Sequence, residues 1–253
     1  MRLVTLNCNG IRAANKKGLR DFLANLAADV VCLQEVRATT DQVPTWANEP
    51  QAFWLPAVKN GYSGVGVVTS QTVKKVQLGI GDPQVDDEGR VQRLDFADWT
   101  LINAYFPSGS AGQHRQTAKY YFLKQFRHYI QRILATQPRL LVCGDFNIAH
   151  HPIDLKNWKS NQTTSGFLPE ERQWLTDFSS LGFVDVVRTL AGADAAVYSW
   201  WSQRAGSRQR DVGWRLDYQW ASPELAAGAV AFQVPRLPVF SDHAPVVVDY
   251  RWT

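Results

Sequence analysis

Short runs of β-branched and other apolar residues recur along the chain, at 3–6, 29–33, 64–69, 99–106, 139–143, 216–221 and 244–250. Each predicts a strand. Several are apolar on consecutive positions, as in VVCL, LLVC and PVVV, a pattern that belongs to strands covered on both faces. Other segments carry helical spacing. Residues 16–27 place Leu19, Phe22, Leu23 and Leu26 on one stripe, and residues 114–135 do the same with Ala118, Phe122, Phe126, Tyr129, Ile130 and Ile133. A third helix is expected from Pro169 to near Gly182, with Pro suited to the first turn and Glu170 and Glu171 facing the positive end of the helix dipole. Ser222-Pro223-Glu224 opens a short fourth, read as a cap followed by Pro. Strands outnumber helices, yet long helices are interspersed. The expected fold class is therefore α/β with stacked sheets and helices outside, rather than a strictly alternating βα barrel. Periodicity leaves the strand order open.

Composition narrows this picture. A chain of 253 residues, 45% hydrophobic and 20% charged, can bury a large core, and no linker, repeat array or charged tail divides it. One domain is the expectation. Ordinary apolar content with a net charge of only +4, from 27 Lys+Arg against 23 Asp+Glu, excludes a disordered chain, and that charge permits a nucleic-acid partner without requiring one. No stretch approaches the roughly eighteen apolar residues of a membrane span. The N-terminus turns polar at Asn7 before a signal-peptide core could form. Cys8, Cys32 and Cys143 sit inside or beside apolar runs, without a CxxC spacing, and read as buried thiols in a reducing compartment. No membrane partner and a cytoplasmic location are expected. The unusual feature is ten Trp in a chain with one Met.

The polar residues that stand out lie where apolar runs end. LVTL ends at Asn7-Cys8-Asn9-Gly10, VVCLQ at Glu35, and LLVCG at Asp145-Phe146-Asn147, while LINAYFP carries Tyr105. Arg215-Leu216-Asp217 opens one late strand and Ser241-Asp242-His243 precedes the last. A single Asp or Asn at a strand end is ordinarily a turn former, and a single buried Glu is ordinarily a satisfied structural carboxylate. Joint occurrence is what points to chemistry. Strand ends along one edge of stacked sheets would gather Asn7, Asn9, Glu35, Asp145, Asn147, Asp217 and Asp242 with one imidazole and one phenol. Such an oxygen-rich set suits a hard cation such as Mg²⁺ or Mn²⁺. Zinc would draw several His or Cys, and neither HExxH nor CxxC is present. A hard cation beside His and Asp points to phosphoryl-transfer chemistry, in which metal and donors stabilise charge on phosphate oxygens.

The segments NCNGIR, LQEVR, NAYFPSG, VCGDFNIAH, GFLPEERQWL, VGWRLDYQWAS and SDHAPVVVDY, in that order, resemble the signature segments of the exonuclease III class of apurinic/apyrimidinic (AP) endonucleases. GDFN and SDHAP are shared across the wider endonuclease/exonuclease/phosphatase superfamily, whereas GFLPEER and VGWRLDY are narrower and point to its DNA-repair members. The resemblance implies a four-layer α/β sandwich, two packed mixed β-sheets flanked by helices, in one catalytic domain over residues 1–253. It implies Mg²⁺, with Mn²⁺ able to substitute, held by Glu35, Asn7, Asn9, Asp145, Asn147 and Asp242. Asp145 matches the residue that activates or orients the attacking water, and Asn147 the residue that holds it. His243, steadied by Asp217, and Tyr105 match the contacts to the scissile phosphate. Trp200, Trp214 and Leu216 fall where the family builds a pocket for a base-less sugar, although core packing remains an equal reading for Trp200. The other eight Trp, with Trp201 and Trp220 foremost, are assigned to packing.

The activity so implied is hydrolysis of the phosphodiester 5′ to an abasic site, leaving a 3′-hydroxyl and a 5′-deoxyribose phosphate. The partners implied are double-stranded DNA with abasic sites or blocked 3′ ends, met by a monomer. Arg12, Lys16, Lys17 and Arg37 follow two of the metal-binding loops and are candidates for backbone phosphates. Asn157 and Asn161 match family positions that contact the strand. Arg204, Arg208 and Arg210 read equally as DNA contacts or as a solvated loop. After Tyr105 the sequence PSGSAGQHRQ lacks the bulky residues that some relatives wedge into the duplex. Two rival readings stand beside this one: a non-catalytic regulator of the catabolite-repression-control type, and a superfamily phosphatase. The intact LQE, GDFN and SDH segments weigh against the first, and GFLPEER and VGWRLDY against the second.

Overall fold

Successive residues of a strand turn to opposite faces, and in the computed structural model of the protein, which describes residues 1–45, 51–204 and 206–252, both faces of the central strands are covered. In β1 (Arg2–Asn7), Leu3 packs between two sheets while Val4 and Leu6 pack under helices on the other side. That is why the run LVTL is apolar without alternation.

The first sheet runs in the order β13 (Ala229–Gln233), β14 (Val246–Tyr250), β1, β2 (Val30–Gln34), β4 (Val65–Thr69), β3 (Gln51–Leu55). The second runs β5 (Lys75–Leu78), β6 (Val91–Asp95), β7 (Thr100–Tyr105), β8 (Leu140–Asp145), β12 (Asp217–Ala221), β9 (Val184–Asp185). A small ribbon pairs β10 (Trp200–Trp201) with β11 (Gly213–Trp214). Each large sheet contains one parallel pair, β1 with β2 and β7 with β8, amid antiparallel neighbours. Leu101, Leu141 and Cys143 meet Cys32, Val67 and Val248 between the sheets. α1 (Ile11–Lys16) and α2 (Leu19–Leu26) cover the outer face of the first sheet, and α4 (Gln113–Leu134) and α5 (Pro169–Ser179) that of the second. Shorter helices, α3 (Pro83–Asp86), α6 (Val186–Ala191) and α7 (Pro223–Ala227), complete the α-helices among the described residues. The four-layer α/β sandwich is therefore the observed architecture.

Several expectations are corrected. Residues 16–27 form no single helix: Gly18 takes φ 90, a left-handed conformation open to glycine, and divides α1 from α2. The stripe itself survives, with Leu19 and Leu23 buried. Ser222 does not cap α7 with its side chain; its hydroxyl is buried without a hydrogen-bond partner among the described residues. β5 and β13 were not legible because as edge strands they leave much of their length exposed. Trp201 and Trp220 are core residues as expected, and Trp46 lies outside the described residues. No helix among the described residues is long and apolar enough to cross a membrane.

Candidate active site

Strand register builds the site. β1 ends at Asn7, level with Gln34 in the parallel β2, so Asn7 and Glu35 leave neighbouring strands side by side. The Asn7 amide nitrogen donates to Glu35 Oε2 (2.9 Å) and to Asp145 Oδ2 (2.8 Å), and its oxygen accepts the Asn9 backbone N–H (3.0 Å). Glu35 and Arg37 hold left-handed conformations, φ 54 and 51, which are costly for side chains of this kind. Backbone bonds hold the turn: Gly10 N–H to Glu35 O (2.8 Å) and Arg37 N–H to Ser63 O (2.8 Å). The Arg37 guanidinium pairs with Glu35 Oε1.

The second sheet supplies a row of three. Tyr105 is level with Asp145 across β7 and β8, and Asp145 is level with Asp217 across β8 and β12. Asn147 donates its backbone N–H to Asp145 Oδ1 (2.8 Å) and its side-chain nitrogen to Asp145 Oδ2 (3.1 Å) and Phe106 O (3.0 Å). His243 enters from the segment before β14, with Nδ1 2.8 Å from Asp217 Oδ2 and Nε2 3.7 Å from Asp145 Oδ2. Burial pushes the Asp145 carboxyl up, His243 draws it back, and Asp217 adds to the rise. Burial by itself would lower the His243 pKa, but the Asp217 and Asp145 carboxylates outweigh it, and the imidazole is held protonated at neutral pH. Burial and the nearby Glu35 carboxylate keep the Tyr105 phenol protonated. The Arg90 guanidinium stacks 4.7 Å from the centre of the Tyr105 ring.

Asp242 faces the same space from the other side. Its Oδ1 accepts Asn9 Nδ2 (2.9 Å) and its Oδ2 accepts Trp200 Nε1 (3.1 Å). Burial would raise this carboxyl, but His243 and these donors hold it below the usual range. Trp200 and Trp214 pair across β10 and β11 and meet edge to face, their ring centres 6.2 Å apart. With Leu216, Tyr105, Asp145 and His243 they line a cleft of about 310 Å³, whose other wall carries the hydroxyls of Ser108, Ser110, Thr164 and Ser165. A larger hollow of about 640 Å³ lies beyond Trp201, among Arg204, Arg208 and Arg236, but only Asp242 of the groups above reaches it. The candidate catalytic groups line the smaller cleft.

The donor set can be tested for a metal. Ligand atoms of Asp145, Asp217 and His243 lie within 4.8 Å of one another. His243 and Asp217 bind each other, so Glu35, Asp145 and Asp242 remain the carboxylates turned to the cleft. Asp217 Oδ1 is buried without a hydrogen-bond partner among the described residues. The thiol that follows Asn7, Cys8, is pushed up to about 12 by burial and offers no soft ligand. This acidic cluster with one His fits a hard divalent cation better than zinc.

The remaining predicted residues stand outside this cluster. Arg12 and Lys16 are exposed on α1, and Lys17 donates to Phe240 O (3.1 Å). Asn157, at φ 58, is exposed, and Asn161 donates to its carbonyl (2.9 Å) in the turn before Gly166. Arg208 is spent on the protein itself: it donates to the carbonyls of Arg236, Ser241 and Asp242, bracing the segment that carries Asp242 and His243. Sequence reasoning missed Ser199. Its hydroxyl donates to Asp217 Oδ2 (2.6 Å) and accepts the N–H groups of Leu216 and Asp217, so it fixes the carboxylate that holds His243. No sequence signal marks it, since a Ser beside a Trp is unremarkable until the strands are paired.

Comparison with known proteins bears on the family and the fold. The sequence profile of the Endonuclease/Exonuclease/phosphatase family matches residues 4–243. An exodeoxyribonuclease of Bacillus subtilis is 38% identical over 249 residues, covering 97% of this chain and 98% of that protein. The structure of an AP endonuclease from Archaeoglobus fulgidus superposes with a TM-score of 0.88 at 25% identity, covering 99% of each chain. A 3′ phosphatase from Neisseria, bound to a product DNA hairpin, superposes with a TM-score of 0.91 at 25% identity over 100% of both chains.

Proposed function

The chain belongs to the Endonuclease/Exonuclease/phosphatase family, and from that premise we propose that it is a DNA-repair hydrolase, an Mg²⁺-dependent AP endonuclease. It hydrolyses the phosphodiester 5′ to an abasic site in duplex DNA and leaves a 3′-hydroxyl and a 5′-deoxyribose phosphate. One observation carries the reading: the cleft walled by Trp200, Trp214 and Leu216 opens directly onto Asp145 and His243. A pocket walled by two indoles and a leucine admits a bare deoxyribose and excludes a nucleotide that keeps its base. An abasic nucleotide also has no base to unstack, so its extrusion costs less.

In this reading Asp145 takes the proton of the attacking water, with Asn147 holding the carboxylate in place. Protonated His243, anchored through Nδ1 to Asp217, presents Nε2 as a donor to the scissile phosphate, and the Tyr105 phenol donates from the other side. Glu35, Asp145 and Asp242, with Asn7, Asn9 and Asn147 around them, would hold Mg²⁺ or Mn²⁺. When bound, such a cation neutralises charge on the phosphate oxygens. Arg12, Lys16, Lys17, Arg37, Asn157 and Asn161 are assigned to the DNA backbone. Residues 1–253 are read as one catalytic domain acting as a cytoplasmic monomer. Groups from both sheets of a single chain in one cleft support the first reading, and three buried free cysteines support the compartment. The likeness to a 3′ phosphatase favours blocked 3′ ends as further substrates.

The test is a side-by-side digestion of an abasic duplex, a duplex with a 3′-phosphate end and one with an intact recessed end. With Mg²⁺ the abasic duplex is expected to be nicked fastest, and EDTA to stop all three reactions. No cleavage at any metal concentration would refute the reading and favour a regulator.

A further inference from the structure

α4 and α5 lie on the outside of the second sheet, yet each sends one charged side chain inward toward the cleft. Lys119 and Glu171 are fully buried, with Nζ and Oε1 2.6 Å apart. A buried ion pair returns its desolvation cost only when the remaining protons and lone pairs are also used. Here they are used on the loops of the site. Lys119 Nζ donates to the carbonyl of Asn147 (2.8 Å). Glu171 Oε2 accepts the backbone N–H groups of Gly166 (2.6 Å) and Leu168 (3.1 Å), and Oε1 accepts Gln116 Nε2 (3.0 Å).

Gly166 is the element so held. It takes φ 96, its carbonyl accepts the Ala149 N–H (2.8 Å), and it faces the pocket indole directly. A Cβ at Gly166 would stand 3.3 Å from Trp214 Cζ3 and 3.1 Å from Asn147 O, so backbone forms this wall. A third loop leans on the same group. A Cβ at Gly109 would lie 1.8 Å from Gln116 Oε1 and 2.5 Å from Ser165 Oγ, so the chain after Tyr105 packs against two neighbours of Glu171.

We propose that Glu171, seated on Lys119, is a specificity-determining positioning residue: it sets the spacing between the Gly166 wall and Trp214, and with it the discrimination between a base-less sugar and a complete nucleotide. The proposal rests on reading the cleft as a sugar pocket. It also gives the GFLPEER segment a physical task, since the second Glu of that segment is the clamp. Loss of the clamp frees two backbone N–H groups to turn toward water, and the wall moves off the indole.

Two variants test this. Glu171→Gln removes the charge at constant shape. Glu171→Leu with Lys119→Met replaces the pair by apolar groups of similar size and leaves no unpaired buried charge, so it keeps the test open should Glu171→Gln prove unstable. Three quantities are measured: the abasic-to-intact cleavage ratio, hydrolysis of bis(p-nitrophenyl) phosphate, and amide exchange at Gly166 and Leu168. In both variants the ratio is expected to fall about tenfold, with hydrolysis of the small diester unchanged and exchange accelerated. An unchanged ratio alongside accelerated exchange overturns the proposal. A fall in small-diester hydrolysis that matches the fall on abasic DNA also overturns it, since the pair would then serve general integrity. A wild-type protein without preference for abasic DNA refutes the underlying functional reading instead, and exchange at Gly166 reports the clamp independently of that result.

Discussion

Replacing Asp154 with Asn removes one charge from beneath the pocket and strands another. Asp154 is fully buried and accepts Arg215 through both oxygens (Nε 2.8 Å, Nη2 3.1 Å), Arg188 Nη2 (2.5 Å) and the His151 backbone N–H (2.9 Å). Arg215, itself 1% exposed, lies between Trp214 and Leu216 in sequence and, among the described residues, keeps Asp185 Oδ2 (2.7 Å) as its second acidic partner. Removing one member of a buried pair costs about 3–5 kcal/mol when the other charge is left uncompensated, and the remaining Asp185 pairing places this site at the lower end of that range. For a chain of this length each kcal/mol moves Tm by about 2–4 °C, so a fall on the order of 10 °C is expected. Acid offers an independent measure. Burial would raise the Asp154 carboxyl, but Arg215 and Arg188 draw it down to about 2 from an ordinary 3.8. A shift of that size corresponds to about 2 kcal/mol. Because the folded-state pKa is the lower one, this stabilisation is present above the ordinary carboxyl pKa and is lost as pH falls through the folded value. The assay is thermal unfolding by circular dichroism at neutral pH and across the range from about pH 4 to pH 2. The wild type should lose stability over that range more steeply than Asp154→Asn, so the gap between them narrows in acid. A neutral-pH Tm within about 2 °C of wild type would refute the reasoning, since it would mean less than about 1 kcal/mol of coupling.

Two further predictions concern the chemistry. Asp145→Asn should cut the rate on abasic DNA by at least about a thousandfold while retaining affinity in a gel-shift assay; near-normal turnover would remove Asp145 from its assigned role. Trp214→Ala should relax the preference for abasic over intact DNA in a competition assay, and an unchanged preference would return Trp214 to the category of packing residues.

What could be read along the chain was local. VVCL, LLVC and PVVV announced doubly covered strands because each position in such a strand meets an apolar layer, whichever way it points. The ends of those runs were conspicuous because Asn7, Glu35, Asp145 and Asp242 are polar groups directly after apolar stretches. The break at Gly18 was not legible, since a helical stripe tolerates a glycine and only the backbone reveals a left-handed φ. Edge strands such as β5 and β13 were missed because half of their surface is wet and their sequence carries little contrast.

The supports of the site were hidden for a different reason. Glu171 takes Gln116 from 55 residues away, Arg215 meets Asp154 across 61, and Ser199 binds Asp217 across 18. A charged residue in a helix stripe or a Ser beside a Trp carries no sign of its partner. Sequence alone thus determined which residues could take part, because burial on both faces and the placing of polar groups at strand ends are local properties. Tertiary structure alone decided which of them meet and in what protonation state. The ends of β1 and β8 and the segment before β14 bring Asn7, Asp145 and His243 to one edge, where burial raises the Asp145 carboxyl and the Asp217 and Asp145 carboxylates, outweighing burial, raise His243.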